Sequence, residues 1–302
     1  MKSAAILVIL LSISVAACRK RPEKPEETAT KGSLLVLASQ SYEDFIRLEA
    51  NEYVRSYPDV NISVRGTSTR EAIVHLLNDS VQCICVDRPL NDEERQVAAK
   101  AELIVAENKI GEGALAVIVH ETNPVEHIAF QDVKDILTGS IKAWTSLKES
   151  RWEGDIRLVL TGRNSGTYEI LQNHFFKIQS PLSVTTTVEN EKEVVEYIRT
   201  HPQALGIVSI AALRNVARKT KVLAVESTNV MDELFVKPTQ LNIYRALYPL
   251  HYSLYLYTSG SSRGVGGGFS TFVRSMQGQK IVQSGGFVPV VVPNRIIQIN
   301  TE

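Results

Sequence analysis

The feature that most constrains the fold is an alternation that begins at residue 34 and runs through most of the chain. Short apolar runs with strand character at 34–38 (LLVLA), 60–64 (VNISV) and 81–86 are separated by stretches with helical spacing. The first stretch carries Phe45, Leu48 and Tyr53 at apolar positions, and the second carries Ala72, Ile73, Leu76 and Leu77. Further strands are expected at 116–119, 156–160, 205–210 and 254–257, and helices at 132–138, 167–176, 190–199 and 268–283. Strands alternating with helices imply mostly parallel sheets covered on both faces, an α/β architecture. In an open sheet of this kind, ligands bind beyond the carboxyl ends of the strands, where loops lead into helix N-termini.

The segment before residue 34 has a different character. One lysine, Lys2, precedes an apolar run from Ala4 to Ala17 broken only by Ser12 and Ser14. The run is too short to span a bilayer as a helix and suits the core of a secretory signal. It ends in small residues before Cys18, which resembles the bacterial lipoprotein box. The expectation is a signal peptide over 1–17 and a lipidated N-terminus at Cys18; the alternative is a plain signal peptide that contains a cysteine. Residues 19–32 (RKRPEKPEETATKG) hold no large apolar side chain, so 18–32 is expected to be a solvated tether reaching on the order of 40 Å. The folded body is thereby placed in the cell envelope, facing the periplasm or the exterior.

Composition removes several functional classes. Lys plus Arg (33) balance Asp plus Glu (33), so no global basic field favours nucleic acid. Three cysteines in 302 residues cannot form a disulfide scaffold. Cys83 and Cys85 share one face of an expected strand, where a bridge is geometrically poor, and they are read as buried free thiols. The six histidines form no metal-binding spacing such as HExxH. No GxSxG elbow is present, and Ser165 has no evident histidine partner. The Gly-rich run 263–269 breaks the GxGxxG pattern and is expected to be a flexible lead into a helix. An enzyme, a resident metal and a cofactor are not expected.

Three loops carry the chemistry. Ser39-Gln40-Ser41-Tyr42 follows the first strand, with Asp44 three residues beyond Ser41. Thr67-Ser68-Thr69 follows the second, with Glu71 three beyond Ser68. Each pair also suits a helix-capping box. The third loop, Arg163-Asn164-Ser165-Gly166-Thr167, adds a guanidinium with forked donors and a glycine that admits a ligand to the backbone. A helix start with free N–H groups favours an anion there.

Asp87 ends the third strand at VDRPL. A carboxylate beside a bound anion repels it unless the anion carries a proton to donate. Phosphate at neutral pH keeps one or two protons and sulfate keeps none, so an acceptor-only group would select phosphate. The alternative is that Asp87 pairs with Arg88 or caps the helix that begins at Asn91.

Read in order, the segments from 33 to 292 resemble the extracytoplasmic phosphate-binding proteins of bacterial ABC transporters, the PstS type. The resemblance is carried by ETNPVEHI (121–128), LTGSIKAWTSL (137–147), QALGIVSIAAL (203–213), SLYLYTSG (253–260) and GQKIVQSGGFVP (278–289). It implies a two-lobed periplasmic-binding-protein-like (type II) fold with the ligand cleft between lobes. Lobe 1 would take 33–113 and 256–302, and lobe 2 would take 114–255. By motif, Ser41 and Tyr42 match the first anion loop and Thr67, Ser68 and Thr69 the second. Asp87 falls on the proton-accepting aspartate, and Arg163, Ser165, Gly166 and Thr167 match the third loop. The implied function is a monomeric, lipid-anchored protein that captures phosphate and hands it to ABC permease subunits. Two departures mark a divergent branch: the second loop is TSTRE rather than glycine-rich, and Arg163 stands two residues before Ser165 rather than four. Other readings are a binder of another tetrahedral oxyanion or a small phosphorylated compound, or a surface or assembly protein on the same scaffold.

Overall fold

The computed structural model describes residues 28–291 apart from positions 149, 215–218, 230–233 and 261–262. Cys18, the signal segment, most of the expected tether and residues 292–302 lie outside the described residues. Among those described, no helix is long and apolar enough to cross a membrane.

The expected alternation is present. It opens with β1 (Gly32–Ser39), α1 (Glu43–Ser56), β2 (Val60–Thr67), α2 (Thr69–Leu77), β3 (Cys83–Val86) and α3 (Asp92–Lys100). Next come β4 (Val105–His120), β5 (His127–Ile128), α4 (Phe130–Thr138), β6 (Arg157–Thr161), α5 (Gly166–Glu169) and β7 (Thr186–Val188). They are followed by α6 (Glu191–Thr200), β8 (Ala204–Ser209), β9 (Thr220–Val222), β10 (Ala224–Glu226), β11 (Phe235–Val236) and α7 (Gln240–Tyr244). The chain closes with β12 (His251–Ser259), α8 (Val265–Val273), α9 (Met276–Ser284) and β13 (Val288–Pro289).

Among the described residues, ten strands form one sheet whose main path is β2-β1-β3-β12-β4-β8-β6-β7, with β9 and β13 paired to β4. A smaller sheet has the order β11-β10-β5. The flanks are parallel: β1 pairs with β2 and β3, and β6 with β7 and β8. Between them, β12 and β4 run antiparallel to their neighbours. Along β4, residues 105–114 pair with β12 and residues 115–119 pair with β8, so one strand serves both groups.

Side-chain alternation along the strands divides the core. Leu34, Val36, Ala38, Cys83 and Cys85 face one way and pack with Phe45, Tyr53 and Phe269 from α1 and α8. Leu37, Ile84 and Val86 face the other way and meet Ile73 and Leu76 of α2. In the second group, Ala116, Ile118 and Val208 pack against Val194 and Ile198 of α6. Each fully buried large aliphatic side chain contributes about 1.5–3 kcal/mol relative to exposure. Cys83 and Cys85 are free and buried, and burial pushes both thiols up, away from reactivity.

Four expectations are corrected. The strand expected at 116–119 begins at Val105: Glu107-Asn108-Lys109 and Gly111-Glu112-Gly113 break the apolar pattern without ending the pairing. The helix expected at 268–283 is two helices, with Ser275 capping α9 through the Gly278 N–H. The glycines of 263–269 are not a flexible lead: 266–268 lie inside α8, which begins at Val265. A Cβ on Gly268 would stand 2.3 Å from the Tyr53 hydroxyl and 2.7 Å from Ala29 Cβ, so its absence lets the helix close on its neighbours. Finally, the last tether residues are docked: Thr28 and Lys31 form a bridge, and Ala29 O accepts the Tyr53 hydroxyl.

Candidate functional site

Strand register decides what meets at the carboxyl edge. In β1 and β2, Ser39 is level with Thr67, and Ala38 of β1 is level with Cys85 of β3. The loops at 40–42 and 67–69, and Asp87 two residues beyond Cys85, therefore emerge on one edge. In the other parallel group, Thr161 of β6 is level with Val188 of β7, and Val159 with Gly206 of β8. That brings the loop at 162–166, Glu189 to Glu191 and Ser209 to a second edge. The two edges close around a cavity of about 190 Å³.

Eight of the ten residues expected to hold ligand line that cavity: Ser41, Thr67, Ser68, Asp87, Arg163, Ser165, Gly166 and Thr167. Thr69 and Tyr42 do not. The Thr69 hydroxyl donates to Asp87 Oδ1 at 2.8 Å, so it acts on the carboxylate rather than on the cavity. The Tyr42 side chain is buried against Phe287, and its hydroxyl meets that of Tyr252.

Asp87 is the pivot. It is 4% exposed and accepts hydroxyl hydrogens from Thr69 and from Ser39 (3.3 Å). Burial raises its pKa to about 6, against the lowering effect of the Thr69 hydrogen bond. It neither pairs with Arg88 nor caps α3. Arg88 binds Glu94 at 2.8 Å and Glu169 at 2.6 Å, and Asn91 caps α3 in a capping box with Glu94. Arg70 also reaches Glu169, at 3.3 Å, so two arginines from the first strand group hold a buried carboxylate of α5.

The hydroxyl loops differ in what they do. Ser68 caps α2 by accepting the Glu71 N–H, as expected, while the Thr67 hydroxyl donates to the Glu71 carboxylate. Ser165 caps α5, accepting from Tyr168 N, and its hydroxyl meets that of Thr161 at 2.6 Å. Beyond α5's four residues the helical path continues as a π-turn over Ile170–Phe175. Ser41 is not a cap: a 3-10 turn at Gln40–Tyr42 precedes α1, and the cap position falls on Tyr42 with no side-chain bond. The Ser41 hydroxyl instead donates to Glu191 Oε2 at 2.6 Å. Arg163 is exposed on the cavity rim, with no ion pair among the described residues.

Several lining residues were not singled out from sequence: Ser39, Thr161, Asn164, Glu189 and above all Glu191. Glu191 opens α6 and gathers Ser41, Thr167 and Ser209 around its carboxylate. Ser209 ends β8, so the strand-end rule that found the other loops also points to it. Glu191 gave no such signal, since an acidic residue in the first turn after Asn190 is ordinary helix chemistry.

A hydroxyl-rich cavity containing a buried, acceptor-only carboxylate suits a small anion that carries its own protons. Known proteins give this arrangement a family. The PBP superfamily domain matches residues 23–276. The phosphate-binding protein PstS of Pseudomonas aeruginosa is 23% identical over 287 residues, covering 89% of this chain and 86% of that protein. The protein of the same name from Bacillus subtilis is 25% identical over 268 residues, covering 88% and 83%. An ABC-type phosphate transport receptor from Vibrio cholerae shares the fold, with a TM-score of 0.67 at 18% identity over 85% of this chain and all of that one. With the family domain spanning most of its length, the chain belongs to the PBP superfamily, as a divergent relative of the PstS type.

Proposed function

We propose that the protein captures inorganic phosphate outside the cytoplasm and delivers it to the permease of an ABC importer. The observation that carries this reading is Asp87: a buried carboxylate, fed by two hydroxyls, facing a small cavity lined by Ser41, Ser68, Ser165 and Thr167. A hydrogen phosphate can donate to Asp87 while its other oxygens accept from hydroxyls and N–H groups. Sulfate has nothing to donate and leaves two acceptors facing each other. Closure of the two strand groups on the ligand would exclude water and strengthen each contact. No bond is made or broken in this function. Relatives named for phosphate binding support the ligand class. In the same reading Cys18 carries the lipid anchor, residues 33–113 with 256–302 form one lobe and residues 114–255 the other, and the protein works as a monomer.

Calorimetric titration with phosphate, sulfate, molybdate and phosphate esters tests the reading. Phosphate is expected to bind and sulfate not; silence with every anion would favour a surface or assembly role. A second reading, a small phosphorylated compound, is favoured by a cavity of about 420 Å³ that also touches Gln40, Ser41 and Glu191 and so adjoins the first. Tighter binding of an ester than of phosphate would select it.

A further inference from the structure

The Glu191 carboxylate is held the way a bound oxyanion is held. It is 6% exposed, and four donors from three separate segments converge on it. Its Oε1 accepts the Ser209 N–H at 3.0 Å and the Thr167 hydroxyl. Its Oε2 accepts the Ser41 hydroxyl at 2.6 Å and the Ser209 hydroxyl at 2.5 Å. Two of these donors, Ser41 and Thr167, are residues assigned to the ligand. A resident carboxylate thus occupies hydroxyls that an incoming anion needs, and it borders the same cavity as Asp87.

This has a consequence for ligand choice. To use Ser41 and Thr167, an anion must draw both hydroxyls away from Glu191, which strips a buried carboxylate of half its hydrogen bonds. Leaving a buried charge unsatisfied is costly. A fully ionised anion adds repulsion to that loss. An anion with two acidic O–H groups can instead donate one to Asp87 and one to Glu191, replacing what the hydroxyls gave.

We propose that Glu191 is a specificity-determining residue, the second carboxylate acceptor of the cleft, and that the ligand it selects is the doubly protonated monoanion of phosphate. The inference rests on the phosphate reading and extends it from one acceptor to two. Asp87 alone rejects sulfate once; Asp87 and Glu191 together reject it twice and also disfavour the phosphate dianion.

The test is the ratio of phosphate to sulfate affinity, measured by calorimetry at one pH on the full chain and on its E191Q and E191A variants, with circular dichroism to verify folding. Gln keeps the size of the side chain and can turn its N–H₂ toward a sulfate oxygen; Ala removes the group altogether. The expected result is that sulfate affinity rises by about tenfold or more in E191Q, narrowing the ratio, because like-charge opposition is removed. A narrowed ratio in folded E191A, if E191Q does not fold, supports the same conclusion. A wild type that binds phosphate, with the ratio unchanged in both folded variants, overturns the role of Glu191 and leaves the phosphate reading standing. A wild type that binds neither anion overturns both.

Discussion

Asp87 stands where a side chain at position 166 would have to be. A Cβ built on Gly166 would lie 2.0 Å from both carboxylate oxygens of Asp87, so the two strand groups approach this closely only because residue 166 has no side chain. Gly166 is buried in α5 and Asp87 follows β3, so this contact joins the two strand groups across the cleft. Replacing Gly166 by Ala therefore pushes Asp87 out of place. Phosphate affinity is expected to fall by about tenfold or more, and stability by about 1–3 kcal/mol, as for overpacking elsewhere. Calorimetry and thermal unfolding read the two effects. An unaffected Gly166→Ala variant would show that the close approach is not used.

Asp87→Asn replaces an acceptor with a group that also donates. Sulfate binding should appear or strengthen, and discrimination should fall, because the amide can satisfy an oxygen that the carboxylate repelled. Competition between the two anions measures this directly. Selectivity equal to wild type would remove Asp87 from the discrimination.

Arg163 is expected to have a smaller part in binding than its residue type suggests. A buried guanidinium on the ligand would cost 2–5 kcal/mol when truncated, but Arg163 is exposed on the rim, where water and salt screen it. Arg163→Ala is expected to weaken phosphate by less than about tenfold, chiefly through a slower, less salt-sensitive association. Stopped-flow rates at two ionic strengths check it. A loss of a hundredfold or more would place Arg163 on the ligand.

Beneath the site, Glu49 is fully buried in α1 with neither carboxylate oxygen hydrogen-bonded. Burial, with a contribution from Glu52, pushes its pKa to about 9, against 4.5 for the free side chain. Folded protein keeps this proton through a range in which unfolded chain has released it, so stability falls as pH rises from about 4.5 to about 9. Above pH 6.5, Asp87 contributes little further change, since its own window closes near 6. Between pH 6.5 and 8.5 the wild type should lose about 2 kcal/mol relative to Glu49→Gln. Parallel stability profiles for the two proteins would mean that Glu49 is solvated or paired.

Under the lipid-anchor proposal, Cys18→Ser should release the protein into the soluble fraction without changing phosphate affinity, because Cys18 is not among the residues that line the cavity. Fractionation of cells expressing each form decides it. Continued membrane attachment would defeat the lipid-anchor proposal.

What the sequence revealed follows from the range of the interactions. The Ser68 cap was legible because capping is local: the donor and acceptor lie three residues apart. The grouping of the loops was legible through the strand-end rule, which places those that follow parallel strands of one group on one edge whatever their separation. The Ser41–Glu191 bond spans 150 residues, and nothing near either residue distinguishes it from an ordinary turn serine and an ordinary first-turn glutamate. Ser41 was accordingly read as a cap as well as an anion donor, and only the first of these is corrected by its contact. The length of β4 was hidden for a related reason. Its pairing with β12 is set by a partner more than a hundred residues away, and the polar Glu107-Asn108-Lys109 and the glycines around Glu112 concealed the continuity.

The position of phosphate in a crystal of the full chain grown with saturating phosphate tests the central claim most directly. The account predicts one phosphate between Asp87 and the Ser41–Thr167 side of the cavity, with an oxygen at hydrogen-bonding distance from Asp87. Phosphate bound away from Asp87, or a cavity with no phosphate under those conditions, would contradict it.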